Sequence, residues 1–152
     1  MALDLSIDDG IKLSPTVRLK LRKQVARMVK AAALAERRKD LEVGLRLCDD
    51  ATIRELNRDY RNKDKPTDVL AFAQREAATA DFALLGDIVI SVDTAKRQAK
   101  KGLYAELLHL ASHGLCHLLG YDHRDDEEER VMNERAASLR REAARSGRVR
   151  AA

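Results

Sequence analysis

The stretch Leu103 to His123 reads LYAELLHLASHGLCHLLGYDH. Apolar residues recur through it at helical spacing as far as Leu119, which predicts one buried helix. Gly120 then ends it, because glycine enters the left-handed conformation that closes a helix without steric cost. Three histidines stand at this end in the pattern H-x3-H-x5-H: His113, His117 and His123. Each helical residue advances about 100°, so His113 and His117 fall within about 40° of each other, one turn apart. A chain reversal at Gly120 carries His123 back toward the same point. Three neutral imidazoles suit one Zn²⁺ and leave its fourth position open. The expected site is therefore one zinc-type ion held by His113, His117 and His123. Nickel, copper and iron also accept imidazole.

His109 shares the helix face. A site using His109, His113 and His117 would stretch over about 12 Å of straight helix, whereas zinc–nitrogen bonds are about 2 Å. His123 is the better third ligand, and His109 is left to packing or outer support. The same spacing, with glycine three residues after the second histidine, occurs in metzincin-type zinc sites. Those proteases place Glu after the first histidine as general base, and here that position is Gly114. The metal site survives this change and the peptidase does not. Gly114 is expected instead to leave room beside the ion. Cys116 lies off the histidine stripe and reads as a packed thiol. Asp122 either orients a ligand histidine or caps the turn.

Outward from this helix, the chain alternates short strands and helices. Ser14 and Pro15 form a helix start, and Val17, Leu21, Val25, Met28, Val29 and Ala32 follow at helical spacing. Positions 18–39 carry nine basic residues against one acid, Glu36, so this helix has a cationic face, either solvated or placed against phosphates. Leu41 to Cys48 reads as a strand, and Asp49 or Asp50 caps a helix to about Tyr60. Arg61 to Asp68 is a polar turn. Val69 to Ala73 and Ile88 to Ile90 read as strands, with a loop at 74–84 between them. Ser91 or Asp93 opens a helix to about Lys101, ended by Gly102. A last helix begins at Asp125 or Asp126, where its acids suit the dipole, and the basic end 143–152 is expected to fray. Together these make an α+β chain with a small mixed sheet and several helices.

The 152 residues suit one domain, 1–152, large enough to form a core without a structural metal. Aromatics are only 3% of the chain, which argues against stacking on bases as the main mode of binding. The formal net charge of +4 favours anionic partners mildly. Two isolated cysteines do not form a disulfide framework. No signal peptide and no membrane-length apolar run are visible, so the expectation is a cytoplasmic protein with no membrane partner.

Three segments together resemble the YbeY family of bacterial rRNA maturation factors and metal-dependent endoribonucleases. They are HGLCHLLGYDH at His113 to His123, LNRDYRNKDKPTDVLAF at Leu56 to Phe72, and LLGDIVIS at Leu84 to Ser91. The chain departs from the family pattern at Ala71 and Ala73, where Ser and Pro are common, and at Cys116, where Leu is common. The resemblance implies a small mixed sheet with the metal helix beneath it. It further implies a single-strand endoribonuclease acting in 16S rRNA 3′-end maturation and ribosome quality control, with rRNA and the small ribosomal subunit as partners. By position, Arg61 is its catalytic arginine. Lys63, Lys65 and Arg58 would extend a phosphate-binding surface, while Asp68 and Asp87 either orient Arg61 and the ligands or cap turns. The second functional class is an assembly factor that binds rRNA and whose metal is mainly structural.

Overall fold

A computed structural model describes residues 2–38, 40–74 and 84–151, with side chains through residue 145. It contains four strands and five helices: β1 (Leu3–Ile7), α1 (Pro15–Ala35), β2 (Glu42–Cys48), α2 (Asp50–Arg61), β3 (Val69–Ala73), β4 (Leu84–Ser91), α3 (Val92–Gln98), α4 (Leu103–Leu118) and α5 (Asp126–Ala151). The strands form one mixed sheet in the order β1-β2-β4-β3. The first three are parallel, and β3 runs antiparallel along the β4 edge. The α+β expectation holds.

Alternation along each strand divides the sheet into two unlike faces. Leu3, Val43, Leu45, Leu47, Ile88 and Ile90 point into the main core, which they share with α1, α4 and α5. The opposite face packs a smaller cluster of Cys48, Ile53, Leu70 and Val89 under α2. On the core side, α4 lies against β3 and β4, α1 lies against β1, and α5 packs on both α1 and α4. The α1 stripe Leu21, Val25, Met28, Val29 and Ala32 is buried, as its spacing predicts.

Caps fix the helix starts. The Ser14 hydroxyl accepts from the Val17 amide at 3.1 Å with Pro15 in the first turn, and Asp49 accepts from Thr52 N at 2.9 Å. Strand β1 is absent from the sequence reading, although LDLSI alternates. Its short run sits at the chain start and finds its partner, β2, only across α1. Gly102 does not end α3. That helix stops at Gln98, and Gly102 is the N-cap of α4. Most of the loop expected at 74–84 lies outside the described residues, while Leu84 already belongs to β4. The basic end expected to fray from 143 is helical to Ala151, and Ala143 is buried in the core.

Gly114 requires a correction. It is buried, and a Cβ built on it would stand 2.7 Å from Ile88 Cγ2 on β4. Its missing side chain lets helix and sheet approach closely, so the space a Cβ would take belongs to Ile88, while Gly114 itself still lines the cleft with His117 and His123. Gly114→Ala is expected to cost about 1–3 kcal/mol through overpacking, outweighing the roughly 1 kcal/mol helix preference of Ala over Gly. Urea unfolding reads this directly, and an unchanged midpoint would show that α4 can lift off β4 freely. Burial pushes the Cys48 thiol up to about 12 and the Cys116 thiol up to about 11. A thiol reagent at about pH 8 should find neither in the native chain and both after unfolding; prompt native reaction would contradict their burial.

Candidate functional site

The end of α4 is built by a six-residue closure. Gly120, at φ +101°, donates to His117 O, and Tyr121 donates to Cys116 O, both at 3.0 Å. This pair of bonds defines a Schellman motif, which satisfies the last carbonyls and reverses the chain. Asp122 then accepts from the His123 amide at 2.8 Å. Asp122 therefore caps the turn. The result sets the His117 and His123 rings edge to face, with centroids 5.1 Å apart.

The facing wall comes from the end of α2 and the turn after it. Asn62 takes the left-handed conformation at φ 57°, and Lys63 N donates back to Asn57 O. Asn57 is itself buried, and its Nδ2 donates to Lys65 O at 2.9 Å. These bonds fold the polar turn over β3. Arg61 donates through Nη2 to Ala71 O at 2.8 Å, and its guanidinium carbon lies 5.7 Å from the Phe72 ring centroid. The guanidinium is thus anchored along one edge with donors to spare. No ion pair involves Arg61, Lys63 or Lys65 among the described residues.

Between these walls lies a cleft of about 770 Å³. Arg61, Lys63, Lys65 and Asp68 line one side, and His117 and His123 the other. Two of the expected surroundings are elsewhere. Arg58 pairs with Asp59 at 3.0 Å and does not line the cleft. Asp87 projects from the α2 face of the sheet, beside Gly44, and does not line the cleft. Asp68 does reach the cleft, but its Oδ1 accepts from Val69 N and its Oδ2 from Gln98 Nε2, which makes it a strap at the start of β3.

His113 stands one turn before His117 with both ring nitrogens engaged. Nδ1 lies 2.9 Å from His109 O. A carbonyl only accepts, so Nδ1 carries the proton and the neutral ring keeps its lone pair on Nε2. That is the tautomer a metal-binding Nε2 requires. Nε2, however, lies 2.8 Å from Asn133 Oδ1 on α5, an oxygen that by the same rule accepts. A neutral ring is satisfied there when the amide turns its NH₂ inward. Among the described residues, no three His, Cys, Asp or Glu side chains converge as a metal-binding group. Three imidazoles suit a borderline cation by their chemistry. Two of the rings are adjacent, and the third, His113, would have to exchange Asn133 for an ion.

His109 contributes its backbone. Its carbonyl also accepts from the Ser112 hydroxyl at 2.8 Å, and that hydroxyl is contacted by Arg140 Nη1 at 2.6 Å. The His109 ring is exposed and tilts against His113 at 4.3 Å, so it is not a core histidine. Partial desolvation by neighbouring side chains holds the His109 and His117 pKa values below the ordinary imidazole value, and His113 and His123 respectively push the same way. Burial likewise lowers the half-buried Arg140. Asn57, Ser112, Asn133 and Arg140 are invisible to spacing arguments, because each acts across elements. Only the position of Asn57 within the LNRDY segment offered a signal.

Residues 10–144 match the family described as Endoribonuclease YbeY. An Endoribonuclease YbeY from Geobacillus sp. (strain WCH70) is 48% identical over 102 residues, covering 60% of this chain and 65% of the relative. One from Desulfitobacterium hafniense is 46% identical over 115 residues, covering 69% and 73%. The match to Synechococcus sp. (strain RCC307) is 51% identical and, like the first, spans 65% of the relative's own length, just under two thirds. The solution structure of a Thermotoga maritima protein superposes with a TM-score of 0.61 at 26% identity, over 97% of this chain and 93% of that one. A match of this extent, on a chain whose α4 turn and α2 turn form one cleft, places the protein in the Endoribonuclease YbeY family.

Proposed function

We propose that this chain is a zinc-dependent single-strand endoribonuclease that acts in 16S rRNA 3′-end maturation and ribosome quality control, with the small ribosomal subunit as its setting. The observation that carries the reading is a single cleft with unpaired cations on one wall and paired imidazoles on the other. The family name supports RNA as the substrate and an endonucleolytic cut.

The chain's own residues have definable tasks. Arg61, held on Ala71 O, offers its free guanidinium edge to a nonbridging phosphate oxygen and stabilises charge that develops there. Lys63 and Lys65 hold flanking phosphates as point charges. His117 and His123, with His113, would hold the cation, and burial keeps His117 in the neutral form that coordinates. A bound divalent cation supplies Lewis acidity toward a phosphoryl oxygen. The His109 carbonyl orients His113, and Asp122 fixes the turn that presents His123.

Three measurements test this reading. His117→Ala should lose bound zinc and cleavage of a 16S 3′-terminal fragment while still binding that RNA. Persistent RNA binding with no metal-dependent cleavage in wild type would leave an assembly factor with a structural metal instead. Arg61→Ala should lower kcat by about 10²–10³, the usual loss for one donor to developing charge, with zinc content unchanged; a change confined to KM would reduce Arg61 to a binding contact. Asn133→Ala should free His113 and tighten zinc binding about 2–10-fold, the equivalent of one net hydrogen bond. Weaker zinc binding in that variant would mean that Asn133 supports the site and does not compete for it.

A further inference from the structure

The cationic face of α1 is not used by the cleft. No acidic residue occurs between Pro15 and Ala35, while Arg18, Lys20, Arg22, Lys23, Arg27 and Lys30 do. Lys20, Lys23, Arg27 and Lys30 follow one another at steps of three and four residues. At about 100° per residue they fall within an arc of about 80°, so they form one ridge roughly 15 Å long. This ridge borders a groove of about 960 Å³ between α1 and α5, whose walls include Arg27, Lys30 and Leu34 on one side and Arg135, Glu142 and Arg145 on the other.

The charge balance of the groove is one-sided. Its single carboxylate among the described residues, Glu142, already pairs with Arg145. Arg27 donates only to the neutral Gln24 side chain. Lys30 and Arg135 have no ion pair among the described residues. Three cations therefore face the groove without a carboxylate. Among the described residues no aromatic side chain lines it, so they offer bases nothing to stack on, and a phosphate backbone is the ligand its chemistry fits. No described residue lines both groove and cleft. The cleft sits where α4 meets β3, and the groove lies on the outer side of α1, which packs over β1.

We infer that the α1–α5 groove is a second RNA-binding surface, which holds phosphates of the substrate RNA remote from the cut and reads no sequence. This rests on the RNA reading of the cleft, but it assigns a separate site. A long substrate engages both surfaces, and a short one engages only the cleft.

The test compares wild type with Lys30→Glu/Arg135→Glu and with the milder Lys30→Gln/Arg135→Gln, each checked for an unchanged urea midpoint. The probes are a structured 16S 3′-domain fragment and a single strand of about ten nucleotides, near the size one binding surface occupies. For the long RNA, KM should rise roughly tenfold in the Glu variant with kcat unchanged. The slope of log affinity against log salt should shrink by about 1.4–1.8, as for two lost phosphate contacts. Cleavage of the short strand should not change. Equal effects on both RNAs, or an unchanged salt slope in either folded variant, would overturn the proposal, including the case in which the groove serves an acidic protein partner. If wild type cleaves neither RNA yet the salt slope still falls in the variants, the groove stands and the nuclease reading fails.

Discussion

The contact of α4 with β4 at Gly114 governs the rest of the structure. Helix and strand meet there with the Ile88 side chain against the bare backbone of Gly114, filling the space a Cβ would take. Burial on both sides fixes the axial and rotational setting of α4, since a close-packed interior tolerates few alternatives. That setting decides which way the last turn of α4 faces. It points His117 past the β3 edge and toward the turn that carries Arg61, so the cleft follows from how closely this helix packs.

The two walls then meet by different means. The histidine wall is made by backbone bonding, with the Schellman closure at Gly120 and the Asp122 cap on His123. The arginine wall is made by side chains that reach backbone carbonyls: Asn57 to Lys65, and Arg61 to Ala71. Both are hydrogen-bonded scaffolds, which hold polar groups at a partly exposed site without demanding a carboxylate for each cation. Arg61, Lys63 and Lys65 are thereby left with charge to spend on an anion. The half-buried Arg140 shows the same economy on the far side of α4, where it meets a hydroxyl in place of an acid.

His113 connects the histidine wall to α5. Its Nδ1 is tied to the carbonyl one turn earlier, and its Nε2 meets Asn133 across the helix pair. Helix α5 therefore meets His113 near its start and lines the basic groove farther along.

Local chemistry was legible in the residues themselves. The Ser14–Pro15 start, the Asp49 cap, the Gly120 stop and the one-turn spacing of His113 and His117 are short-range properties, fixed by backbone geometry within a few residues. The α+β class and most element positions followed from the same periodicities. Resemblance, and not spacing, singled out Arg61. Long-range facts were not available: that LDLSI becomes a parallel edge strand, that Asp87 faces away from the cleft, that Arg58 turns to Asp59, and that Gly114 is a packing contact. Each depends on which residue lies opposite after the sheet assembles, and alternation along one strand says only that its faces differ. The histidines show the division most clearly. Sequence determined that three imidazoles share one region. Tertiary packing decided that two face each other while the third rests on Asn133, because that partner lies on a helix whose approach to α4 is set by the core and not by local spacing.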